Sequence, residues 1–222
     1  MLRRRLIRVG ATISLALFSV LACSPAANIE PTAPFTQAWD GPVETIAIVM
    51  AEPDRKHRPL ANGVMSLATA TFARHPYARQ RFDLVEREEI DRVLREHRLS
   101  TSGFVDRATA PMLGDLLGAQ YILVVNLVGA DIRESRVSGL DVAGVRLGGG
   151  TASISVSLGA RLVDVQTGRV LANGLGNVQT AVMTGLSVDG VSFETSASRE
   201  MVLDLIPEVA MRALNDIFRN IG

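Results

Sequence analysis

The sequence predicts an α+β domain in which a mixed β-sheet is flanked by helices and carries two β-hairpin extensions. In the first half, apolar runs typical of strands alternate with segments of helical periodicity, in the order strand, helix, strand, helix, helix, strand. The second half adds a long alternating segment over 151–162, a returning strand over 170–175 and a helix over 198–221. Residues 43–222 are therefore expected to form one domain.

The first strand is predicted over 44–50, where Ile46, Ile48 and Val49 supply core side chains. A helix should follow, with Asn62 as its cap, and should end near His75 because a proline disfavours helix at the residue before it. This pair forms the start of the sheet and the first helix packed on it.

A second strand begins at Phe82, and a strongly amphipathic helix follows it. Ile90, Val93 and Leu94 form one apolar stripe, while charged residues occupy the other side, with acids in the first turn. A further helix is predicted to stop at Gly118, because glycine favours the left-handed conformation of a helix C-terminus. The run after it, 121–128, is nearly all apolar, which indicates a strand buried on both faces.

Residues 151–162 alternate between apolar and small polar side chains, so one face of this strand should be buried. Gly168 is expected to take a positive φ in the turn that leads to the returning strand. The C-terminal segment has one apolar stripe, and Pro207 should either kink this helix or start a second one.

Two segments, 139–147 and 185–193, share the pattern G-L-x-V-x-G-V-x-[L/F]. Each is typical of a β-hairpin with a two-residue turn, Ala143-Gly144 in the first and Asp189-Gly190 in the second. These four residues are predicted to be hairpin tips that contact a membrane or a neighbouring subunit.

The stretch LVEREEIDRVLREHRLS, followed by SGFVD and LGDLLGAQYILVVNL, resembles the core of the curli secretion lipoprotein (CsgG) family, and RLVDVQTGRVL is similar to that family's second signature. The resemblance implies a fold similar to anticodon-binding domains. It also implies a role in secretion or assembly at the outer membrane, as a ring-forming subunit. An alternative is a soluble, tethered binding module of the peptidoglycan-synthase-activator type, which contacts a cell-envelope partner without forming a pore.

The resemblance makes a membrane pore built from the hairpins one hypothesis. The second hairpin would permit insertion, because Asp189 is the only charged residue between Arg169 and Glu194. The first hairpin includes Arg133, Glu134 and Arg136, which lie on both faces of the strand, and burying an arginine near the bilayer midplane costs about 2–4 kcal/mol. The charges favour soluble hairpins over inserted ones, and the sequence leaves the choice open.

Residues 1–22 have the features of a lipoprotein signal peptide: a basic start, an apolar run over 9–21 and the box Leu21-Ala22-Cys23-Ser24. Cleavage would leave Cys23, the only cysteine, to carry the lipid. In many bacterial lipoproteins, a non-acidic residue directly after the lipidated cysteine accompanies transport to the outer membrane. Ser24 occupies this position, so the protein is expected to be anchored in the outer membrane and to face the periplasm. An ordinary export signal is favoured over a twin-arginine signal, which Arg3–Arg5 resemble weakly.

Residues 23–42 are rich in proline and poor in large apolar side chains, so they are predicted to be a flexible tether that holds the domain on the order of 20–30 Å from its lipid. The only tryptophan, Trp39, is expected to pack back onto the domain.

The charge balance and the spacing of potential catalytic and metal-binding residues argue against several classes of function. Basic and acidic residues balance at 23 each, so no overall field attracts nucleic acid. The three histidines are too far apart for a zinc site and no catalytic constellation is found, so we expect no metal, no cofactor and no enzyme activity. The expected partners are the outer membrane through the lipid, further copies of the chain, and a secreted or cell-envelope protein. The sequence does not identify the cargo or the ring size.

Overall fold

The computed structural model describes residues 29–96, 109–142, 145–188, 191–194 and 198–222. The chain divides into two compact units. The larger comprises Ile29–Arg133, Ser153–Thr180 and Ala197–Gly222, and the smaller includes Glu134–Ala152 and Ala181–Ser196.

The described elements follow the predicted order. They are β1 (Glu44–Met50), a 3₁₀ turn (Arg58–Leu60), α1 (Ala61–Arg74), α2 (Pro76–Arg81), β2 (Phe82–Leu84), α3 (Arg87–Glu96), α4 (Thr109–Leu117), β3 (Tyr121–Val142), β4 (Val145–Asp164), β5 (Val170–Val188), β6 (Val191–Glu194) and α5 (Arg199–Ile221).

The described strands form one sheet in the order β2-β1-β3-β4-β5-β6. β1 runs parallel to both of its neighbours, so that Ile46 lies opposite Leu84 on one side and Tyr121 on the other, whereas β5 and β6 are antiparallel. The prediction of an α+β fold with a mixed sheet is therefore confirmed.

One side of the sheet in the larger unit packs against α1 and α5. The apolar side chains of β4 alternate inward as predicted, and Ile154, Val156, Leu158 and Leu162 are all buried. β5 contributes small residues to this side. A Cβ added at Gly176 would lie 1.8 Å from the carbonyl oxygen of Val209, so glycine here lets α5 lie close against the strand.

The other side of the sheet packs against α3 and α4. Ile90 and Val93 are buried against Ile122 and Val124 of β3, which confirms the predicted stripe of α3. The strand predicted over 121–128 is buried on both faces from Ile122 to Val125, whereas Val128 is exposed. The positive φ predicted at Gly118 and at Gly168 is also observed, at 61° and 63°.

Several details differ from the sequence-based expectations. Asn62 does not cap α1, because the 3₁₀ turn continues directly into the helix and Leu60 takes the cap position. Pro76 begins the separate helix α2, since a proline at the first helical position has no N–H to leave unsatisfied. α5 continues through Pro207, which is exposed, while the buried stripe runs unbroken on the opposite side.

The strands of the two hairpins are longer than predicted. β3 continues to Val142, β4 begins at Val145, and β5 reaches Val188. The predicted tips Ala143, Gly144, Asp189 and Gly190 lie outside the described residues, as do the signal peptide and Cys23. In the described part of the chain, every helix is too short or too polar to cross a bilayer.

Candidate functional site

The N-terminal segment, residues 29–42, has no helix or strand, but it does not behave as the flexible tether predicted for 23–42. It lies on α5, and its backbone and side chains are hydrogen-bonded there. The backbone N–H and the hydroxyl of Thr32 both donate to the carboxylate of Glu208, and Arg212 donates to the Thr32 hydroxyl and to Glu208. Burial alone would raise the pKa of Glu208, but the hydrogen bonds from Thr32 and Arg212 outweigh it and lower the pKa.

Asn215 of α5, which is only 1% exposed, holds the middle of the N-terminal segment. Its side-chain oxygen accepts a hydrogen bond of 2.7 Å from the backbone N–H of Phe35, and its amide nitrogen donates to the carbonyl oxygen of Ala33 at 2.9 Å. Both the oxygen and the nitrogen of this buried side-chain amide are thus hydrogen-bonded to the segment. Because an unsatisfied buried polar group costs about 1–3 kcal/mol, these hydrogen bonds stabilise the docked position of the segment.

His75, at the junction of α1 and α2, completes this network. Its Nε2 atom lies 3.0 Å from the same Asn215 oxygen, which can only accept, so Nε2 carries the proton. The other ring nitrogen, Nδ1, is buried and has no hydrogen-bond partner in the described residues. Burial lowers the pKa of His75, and the hydrogen bond with Asn215 opposes this effect only in part.

Arg81 fixes the end of the segment next to β1. Its guanidinium lies 4.2 Å from the centre of the Trp39 ring, forms an ion pair of 2.7 Å with Glu44 and donates to the hydroxyl of Tyr77. The same group donates to the carbonyl oxygen of Ile221 at the end of α5. Burial alone would lower the pKa of Arg81, but hydrogen bonding and attraction to Glu44 and Tyr77 raise it. Arg81 therefore ties the segment, the first strand and the last helix together.

A second surface lies on the sheet face of the larger unit that is opposite α5. Val128 of β3 and Leu175 of β5 are 54% and 59% exposed there. Polar side chains bond across the strands beside them, including Asn177 to Ser157 at 2.6 Å. The surface is largely uncharged and carries exposed apolar side chains, which is typical of a protein contact site.

A groove of about 190 Å³ adjoins this surface. Asn126, Arg161 and Asn173 line it together with Gly159 and Gly174. Burial lowers the pKa of Arg161.

The charged residues predicted to hinder membrane insertion of the first hairpin are exposed. Arg133, Glu134 and Arg136 all lie on β3 with solvent-accessible side chains. Whether the hairpins remain in water or insert stays a prediction.

The described residues contain no cluster of three His, Cys, Asp or Glu side chains able to hold a metal ion. Sequence reasoning predicted the packing of Trp39 back onto the domain but missed the hydrogen bonds that join residues 29–42 to α5. Phe35 and Trp39, two aromatic residues in a proline-rich stretch, were the only signal that this segment packs on the domain.

The family model described as "Curli production assembly/transport component CsgG" matches residues 64–202, more than half of the chain. No curated protein sequence matches the chain.

Solved structures with a similar fold include three bacterial proteins. The C-terminal domain of LpoB from Salmonella enterica is 18% identical, with a TM-score of 0.37, over 63% of this chain and 86% of that one. The lipoprotein GNA1162 from Neisseria meningitidis is 14% identical, with a TM-score of 0.43, over 74% and 93%. A PelC variant from Paraburkholderia phytofirmans, solved as a dodecamer, is 14% identical, with a TM-score of 0.33, over 84% and 99%.

Proposed function

Because the chain belongs to the CsgG family, we propose that it is an outer-membrane lipoprotein that faces the periplasm and takes part in curli-type secretion or assembly as a subunit of a homo-oligomeric ring. The observation that carries this proposal is the family match itself, which extends from α1 into α5 and includes both hairpin segments.

The proposed anchor is the lipid on Cys23. The box Leu21-Ala22-Cys23-Ser24 supplies the cleavage and attachment site, and no other cysteine competes for modification. Charged side chains on β3 disfavour insertion of the first hairpin into a bilayer. The lipid would then be the main membrane anchor of the chain.

The proposed ring contact uses the uncharged sheet face around Val128 and Leu175 together with the hairpins. A largely uncharged surface limits repulsion between identical copies, and its exposed apolar side chains gain free energy when a neighbour covers them.

The alternative of a tethered binding module depends on a long flexible linker. Docking of residues 29–42 leaves only residues 23–28 between the proposed lipid and the folded domain. At about 3.4 Å per residue this linker spans about 20 Å at most, which supports a subunit held near the membrane over a module that reaches for a distant partner.

Extraction of outer membranes with alkaline carbonate tests the anchor. The wild-type protein should need detergent, whereas a Cys23→Ser variant exported through a cleavable signal should wash off. A Ser24→Asp variant is the matched control, because it should keep the lipid but remain in the inner membrane. Retention of Cys23→Ser in carbonate-washed membranes would show that the hairpins insert. Native mass spectrometry of the detergent-extracted protein tests the ring, and a strictly monomeric protein would contradict it.

A further inference from the structure

The contacts of the N-terminal segment converge on one ionisable side chain. The ring of His75 and the backbone N–H of Phe35 both point to the side-chain oxygen of Asn215, so the ring and the docked segment share this acceptor. The ring also packs on Phe218, with 4.6 Å between ring centres. This arrangement suits a neutral imidazole whose single N–H points at the amide.

A second proton on His75 has no acceptor in this arrangement. It would bind at Nδ1, which is buried without a hydrogen-bond partner in the described residues. The side chains seen to contact the ring, Asn215 and Phe218, are uncharged. A buried imidazolium would therefore be destabilised until water reaches it.

The neighbouring charged residues do not offset this cost. Arg74 and Arg79 flank His75 on α1 and α2 and are exposed, and they are cations. On α5, Asp216 forms an ion pair of 3.6 Å with Arg219. On the side of the N-terminal segment, Glu208 is bonded to Thr32 and Arg212 and does not contact the ring.

We propose that His75 is an acid-sensitive latch: when it is protonated, residues 29–42 leave α5, water reaches the ring, and the rest of the domain stays folded. Release at Asn215 removes the hydrogen bonds of Ala33 and Phe35, and the contact of Trp39 with the guanidinium of Arg81, which does not involve His75, opens after them.

Together with the lipid anchor proposed above, the latch sets how far the domain stands from the membrane. The chain between the proposed lipid and the first docked residue comprises residues 23–28 when the segment is docked and residues 23–42 after full release. At about 3.4 Å per residue, its maximum reach increases from about 20 Å to about 70 Å. This consequence rests on the proposed function, whereas the latch itself does not.

The sign of the pH dependence follows from the lowered pKa of His75. The undocked state binds the proton more readily, so docking is fully stable above pH 6.5, the ordinary value for histidine, and weakens as the pH falls below it. While the docked histidine stays neutral, the opening constant should increase up to tenfold for each pH unit below 6.5. Glu208 has a pKa below its ordinary value of 4.5 and stays charged in this range.

Hydrogen exchange followed by mass spectrometry tests the latch on the mature chain carrying Cys23→Ser, compared at about pH 7.5 and about pH 5 with correction for intrinsic exchange rates. Peptides from residues 29–42 should open more at the lower pH, by up to about thirtyfold, and peptides from β1 should not change. A His75→Gln variant keeps a side-chain N–H for Asn215 but cannot titrate, so its opening should not depend on pH. His57→Gln, a change at another buried histidine, is the matched control and should behave as the wild type does.

Three results would overturn the proposal: equal protection of residues 29–42 at both pH values, an unchanged pH response in His75→Gln, or loss of protection in β1 together with the segment. If His75→Gln does not fold, fluorescence of Trp39, the only tryptophan, reports on the wild-type chain. The latch predicts a one-proton transition below pH 6.5 without change in far-UV circular dichroism, and a transition seen by both probes together would contradict it. None of these measurements uses the lipid, so failure of the latch leaves the proposed function standing.

Discussion

Replacement of Gly176 by alanine should strongly destabilise the domain, because this glycine lets α5 lie against β5. The new Cβ would lie 1.8 Å from the carbonyl oxygen of Val209, about 1.5 Å closer than an ordinary contact. α5 would have to retreat by about that distance. A gap of 0.5–1 Å already forfeits a quarter to a half of the dispersion energy of each contact, and ten residues of this helix are buried.

We therefore expect a loss of about 3 kcal/mol or more, at the upper end of the range for overpacked cores. For a domain of this size the melting temperature should fall by about 6–12 °C. Urea unfolding of the unlipidated chain, followed by Trp39 fluorescence and circular dichroism, measures the change. Gly159→Ala is the matched control. This glycine lies in β4 on the opposite face, where a Cβ would make an ordinary contact of 3.5 Å with Val128. If the two variants lose the same stability, the close approach of α5 is not what requires glycine at 176.

Three further predictions concern the contacts that join the N-terminal segment and β1 to the rest of the fold. Arg81→Ala leaves the partly buried carboxylate of Glu44 without its ion pair and should cost about 3 kcal/mol in urea unfolding, whereas Arg92→Ala, in an exposed ion pair, should cause no measurable loss. Asn215→Ala leaves a buried ring nitrogen and a backbone N–H without an acceptor, so it should cost about 2–3 kcal/mol and remove exchange protection from residues 29–42 at every pH. Burial alone would raise the pKa of Glu208, but its hydrogen bonds lower it, so its contribution to stability is present above pH 4.5 and is lost as the pH falls further. A Glu208→Gln variant should show a flatter decline of stability in that acid range, and an unchanged decline would show that another carboxylate is responsible.

The elements that sequence reasoning predicted well are those with a local signal. The alternation of β4 and the stripe of α3 each depend on residues a few positions apart, and the structure buries Ile154, Leu158, Ile90 and Val93 accordingly. The positive φ at Gly118 followed from the same kind of local argument.

The contacts of the candidate site could not be predicted in this way, because they join distant parts of the chain. Proline-rich composition favoured a flexible tether, and nothing near Thr32 or Phe35 indicates that Glu208 and Asn215 will accept their N–H groups. The same holds for Gly176, whose role is apparent only when α5 lies beside it. The predicted hairpin tips and Cys23 lie outside the described residues and stay predictions.

The distance along the chain between the N-terminal segment and its partners also fixes an order of folding. Thr32 bonds to a residue 176 positions later, and Ala33 to one 182 positions later. A chain that is exported from its N-terminus delivers this segment first and α5 last, so the segment has no docking site until nearly the whole domain has crossed the membrane. Under the proposed export, processing at Cys23 would therefore precede the docking of residues 29–42 on α5.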